Sequence, residues 1–79
     1  MSVYERVTYR PEGERARTIY LHRPTVSGLL LTGVEVNREG DEISGKDFDE
    51  RRHVIELSLV VRRVPMRMDN TYGELVPDE

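Results

Sequence analysis

A chain of 79 residues with no cysteine has to hold itself together by packing alone. A domain this small buries only about 60% of its unfolded surface, and natural proteins of this size often add disulfides, a metal or a partner chain. Disulfides are excluded here. Two histidines, His22 and His53, stand apart in sequence and do not supply the four ligands of a structural zinc site. What remains is a tight core or self-association. The chain is expected to be one domain, 1–79.

Strand signals dominate the pattern. Val3, Val7 and Tyr9 alternate in Ser2 to Arg10, and Pro11-Glu12-Gly13-Glu14 supplies a turn. Arg17 to Arg23 then places Ile19 and Leu21 on one face, with Thr18, Tyr20 and His22 on the other. Pro24 to Gly28 reads as a break. Leu29 to Asn37 is the clearest strand; its apolar start on both faces predicts burial on both sides, and Gly33 predicts a bulge or sharp bend. Asn37 to Asp41 is a turn. In the polar stretch Gly45 to Arg52, Phe48 is the expected anchor to the core.

Val54 to Val64 fits two patterns. As a strand, Ile55, Leu57, Leu59 and Val61 line one face; as a helix, Val54, Leu57, Val60, Val61 and Val64 form a stripe behind the capping-box pair Asp47 and Glu50. The β-branched content favours the strand. Pro65 is expected to end the ladder or mark an edge, with a short edge strand at Met66 to Met68. Tyr72 to Val76 is read as a last strand, and Pro77 to Glu79 as a frayed tail. The predicted fold is all-β, a small antiparallel barrel or curved meander of five or six strands. The alternative is α+β, with a helix near 49–63.

No segment approaches the roughly 18 apolar residues of a membrane span, and the charged N-terminus does not read as a signal peptide. A soluble, cytoplasmic protein without a membrane partner is expected. Charge is segregated along the chain. Residues 35–50 carry seven acids against Arg38 and Lys46, whereas 51–68 carry five arginines against Glu56. Opposed blocks of this kind either neutralise each other within the fold or pair with copies of the same chain.

Motifs for chemistry are incomplete. Gly40 to Lys46 follows most of a phosphate-binding loop, but Asp47 stands where Ser or Thr has to hold magnesium. The acids Asp41, Glu42, Asp47, Asp49 and Glu50 lack calcium-loop spacing and read as a solvated face. Ser27, Ser44 and Ser58 lie in no nucleophile pattern, and His22 and His53 read as surface or interface residues. No cofactor, no metal and no enzymatic activity are expected. The expected interaction residues are Arg51, Arg52, Arg62, Arg63 and Arg67 together with those five acids. The basic set, with Tyr4, Tyr9, Tyr20 and Tyr72 for stacking, also suggests single-stranded nucleic acid as a second partner class. A pI near 5.4 argues against that class.

The runs Ser27 to Asp41 and Pro65 to Leu75 resemble small uncharacterised proteins of bacteriophages that infect GC-rich actinobacteria. The resemblance implies a phage accessory or virion-assembly factor, located in the bacterial cytoplasm or the virion. The function expected is a non-enzymatic interaction or assembly module that associates with itself or another protein.

Overall fold

A computed structural model describes Val3 to Asp78. Ser2, at the head of the expected first strand, and Glu79, in the expected tail, lie outside the described residues. Six strands appear among the described residues: β1 (Tyr4–Tyr9), β2 (Arg17–Ser27), β3 (Leu30–Val36), β4 (Arg52–Glu56), β5 (Val60–Asp69) and β6 (Glu74–Pro77). A single helical turn, α1 (Phe48–Arg51), precedes β4, and a 3₁₀ turn, Leu57–Leu59, joins β4 to β5. All pairings are antiparallel, and the sheet order is β4-β3-β2-β1-β5-β6. The protein is all-β, an open curved meander rather than a closed barrel. Among the described residues no helix is long and apolar enough to cross a membrane.

Connection length forces the curvature. In a flat sheet β4 and β5 would stand four strand spacings apart, about 19 Å. The 3₁₀ turn between them advances only about 8 Å. The four-stranded side must therefore roll until the end of β4 comes within reach of the start of β5, although among the described residues the two strands do not pair. The roll buries one face of the sheet: Val7, Tyr9, Leu21, Leu31 and Ile55 form a core, with Ile19, Leu57 and Val60 against it. At the other end the sheet curls the opposite way. Val36, Met66 and Leu75 are buried on the second face with Tyr4, Tyr20, Val64 and Met68. The Leu75 N–H donates to the Arg38 carbonyl at 2.8 Å, which draws β6 onto the turn after β3. Gly40 (φ 81°) lies over Tyr4 and Met68 there.

The expected bulge is present, with its extra residue on the partner strand. His22 pairs with Val34 and Thr25 with Thr32, so Arg23 and Pro24 together face Gly33. Arg23 takes φ 53°, an unfavourable conformation for a side-chain-bearing residue. Its N–H is bonded to the Val3 carbonyl at 2.7 Å. Gly33 is buried, and a Cβ there would lie 3.1 Å from Leu21 Cβ.

Several local expectations are corrected. Pro24 to Ser27 does not break the chain but continues β2, because the bulge absorbs Pro24. The turn is the two-residue loop Gly28–Leu29, with Gly28 at φ 59° as a tight hairpin requires. Leu29 consequently sits at the hairpin tip, 81% exposed, and burial at this end of β3 is confined to one face. Residues 54–64 are extended as preferred, but they form two strands broken by the 3₁₀ turn. The capping box is real, though its helix stops at Arg51. Pro65 is interior: β5 runs on between β1 and β6. Its carbonyl accepts from the Asp78 N–H at 2.8 Å, so its missing donor points to where β6 has run out. That bond also ties the tail down through Asp78.

Gly33 separates two effects that predict opposite signs. Strand propensity makes Gly33→Val favourable. Contact with Leu21 makes it overpacked, and we expect a loss of about 1–3 kcal/mol in chemical denaturation.

Candidate interaction surface

Neighbouring residues on a strand point to opposite faces, and this divides the arginine pairs. Arg63 lies on the first face, where its guanidinium grips the buried carboxylate of Glu5: Nε bonds Oε1, and Nη2 bonds Oε2 at 3.1 Å. The hydrogen bond to Glu5, aided by charge attraction and opposed by burial, raises the Arg63 pKa above its ordinary value. A raised folded-state value means that this stabilisation is complete below the unfolded arginine value. It is lost only as pH rises through the folded one, far into the alkaline range. Arg62 lies on the second face opposite Thr8, exposed and without an ion pair among the described residues. Arg67, exposed, pairs in register with Val76.

Arg51 is not a surface residue. It is buried at the end of α1, with Nη2 3.6 Å from Glu42 Oε1 and the guanidinium 5.9 Å from the Phe48 ring centre. Its Nε is buried without a hydrogen-bond partner among the described residues. Phe48 itself is 55% exposed, so the expected aromatic anchor is replaced by Arg51 beneath it. Arg52 follows on β4, exposed on the second face opposite Val34. Arg52 and Arg62 thus share a face but have three strands between them.

The acids serve local structure. The Asp47 carboxylate accepts the Glu50 N–H at 3.0 Å, and Glu50 accepts the Asp47 N–H in return. Asp49 is exposed in the same turn. Asp41 belongs to a turn in which Asn37 Oδ1 accepts its N–H at 2.9 Å. The phosphate-loop resemblance dissolves here, since Gly40 covers a core and Lys46 lies 4.0 Å from Glu35. Glu35 also bonds His53 Nε2 at 2.7 Å. Among the described residues no group of three or more His, Asp or Glu side chains is placed to hold a metal ion. Tyr4 stacks on His22 at 4.9 Å, Tyr9 is buried, and Tyr20 packs in the second core. Tyr72, 78% exposed, is left for stacking on a ligand.

The sheet also presents a surface outside the expected set. Leu30 and Val54 are exposed on the second face near the outer edge of the sheet, with Leu29 at the adjacent tip. A groove beside them is lined by Leu29, Leu30, Glu56 and Ser58. The two sheet edges differ. Pro77 and the Arg38 contact blunt β6, whereas among the described residues β4 has only β3 as a strand neighbour. Reading Ser27-Gly28 as a hairpin signal would have exposed Leu29 in advance. The open edge needs the strand order.

Arg63 holds a buried acid, so its loss is felt asymmetrically. In equilibrium unfolding Arg63→Ala should cost roughly 1–3 kcal/mol, because Glu5 is left buried and alone. The double change Glu5→Met/Arg63→Met should cost less than either single one. No protein-family model matches this chain, and no curated protein or solved structure shows significant similarity to it.

Proposed function

We propose that this protein is a non-enzymatic assembly module whose working surface is the β4 edge with the apolar residues beside it. The observation that carries this reading is the open edge flanked by Leu29, Leu30 and Val54, in a sheet whose other edge is blunted. Open edges with apolar flanks are templates for β-strand addition, in which main-chain bonds supply affinity and side chains supply selectivity. The charge segregation fits the role only in part. Arg51 and Arg63 are paired within the chain, which leaves Arg52, Arg62 and Arg67 for partners. The resemblance to actinophage proteins would place such a module in a virion or in an infected cell.

Light scattering tests the reading. The full chain should run above monomer mass at ~100 µM, the range expected of a small interface. Leu29→Ser/Leu30→Ser should weaken association about tenfold and leave the thermal midpoint nearly unchanged, since both side chains are exposed. Undiminished association in that variant would remove the apolar residues from the surface. A labelled single-stranded oligonucleotide bound at low salt and released as salt rises would replace the reading with a nucleic-acid one.

A further inference from the structure

We infer that the partner of β4 is β4 of a second copy, paired antiparallel about a two-fold axis through Val54. The inference rests on the assembly reading above and adds the partner and the register.

Backbone direction comes first. The Leu57 N–H donates to the Leu29 carbonyl at 2.9 Å, continuing the β3–β4 register. Bonded and non-bonded pairs alternate in an antiparallel ladder. Ile55 and His53 therefore bond to β3, and Arg52, Val54 and Glu56 turn their peptide groups outward. The hairpin agrees independently: a two-residue loop makes Ser27–Leu30 a bonded pair, so Leu30 points to β2 and not to Glu56.

Two outward groups are already used. The Arg52 N–H bonds the Phe48 carbonyl as the cap of α1. The Glu56 carbonyl heads the 3₁₀ turn. The rim thus offers the Arg52 carbonyl, both groups of Val54 and the Glu56 N–H. A two-fold at Val54 matches this set. Each Val54 N–H meets the other copy's Val54 carbonyl, and each Glu56 N–H meets the other copy's Arg52 carbonyl.

Side chains agree with the backbone. The segment Arg52-His53-Val54-Ile55-Glu56 has opposite charges at equal distances from Val54. Antiparallel pairing sets Arg52 against Glu56 twice and Val54 against Val54, all exposed on the second face. Parallel pairing in register would stack like charges, which is destabilising. The helical turn before Arg52 and the 3₁₀ turn after Glu56 limit the ladder to these five residues, and the centred register uses all of them. Because the contact is isologous it closes as a dimer and does not propagate as a fibre.

Sedimentation velocity on the full chain tests this with charge reversals at exposed positions. Wild type should be dimeric at ~100 µM. Arg52→Glu and Glu56→Arg should each weaken the dimer at least about tenfold. An equimolar mixture of the two variants should recover it as a heterodimer, and so should the double variant Arg52→Glu/Glu56→Arg. Val54→Pro removes an outward N–H and should be monomeric, with an unchanged far-ultraviolet spectrum. If wild type dimerises and the reversals leave it intact, or their mixture fails to recover it, this register is overturned while self-assembly stands. If wild type is monomeric, the register and self-assembly both fall.

Discussion

A single sheet of six strands has no second layer to cover it, so it must bury its side chains by rolling onto itself. Everything else in this protein follows from that constraint. The 3₁₀ turn Leu57–Leu59 is too short to cross a flat sheet, and it rolls β1 to β4 around Leu21, Leu31 and Ile55. The Leu75–Arg38 bond rolls the other end the opposite way, around Val36 and Met66. Central strands consequently contribute to both cores: Val7 and Tyr9 of β1 point to one, and Tyr4 points to the other.

Double rolling has a cost in polar groups. Glu5 alternates with Val7 and Tyr9 on the first face, so rolling that face inward buries its carboxylate beside them. Arg63 answers it from the adjacent strand with a two-pronged bond, the arrangement in which an ion pair is strongest. Arg51 fills a similar place beneath the acidic loop, held by Glu42 and the Phe48 ring. Arginines that look like surface charge in the chain are thus divided between structure and surface. Rolling also decides which edge is left open. One curl brings the turn after β3 against β6, and β4 receives no such cover.

Much of the architecture was legible in the chain. Alternation put Val7 with Tyr9 in β1 and Ile19 with Leu21 in the first half of β2, because the side-chain period of two leaves little choice. Gly33 signalled irregular pairing, and Asp47 with Glu50 announced a helix start. Other readings failed where tertiary context overrode a local rule. Pro24 and Pro65 look like strand breakers. The first is absorbed by a bulge opposite Gly33, and the second lies where the neighbouring strand has ended. Leu29-Leu30-Leu31 reads as deep burial, yet a hairpin tip and an uncovered face leave Leu29 and Leu30 in solvent. The expected interaction residues were chosen by charge alone, and charge carries no information about facing. The His53–Glu35 pair and the free rim of β4 were invisible for the same reason.

Composition and periodicity by themselves determined that this chain is a small, disulfide-free antiparallel sheet with turns near Gly13 and Gly40, since those features depend on neighbours in sequence. Only the tertiary structure decided the strand order, the two opposed curls, the burial of Glu5 and Arg51, and which edge remains open. Each of these depends on contacts between segments distant in the chain, where the roll of the sheet chooses among faces that local pattern treats alike.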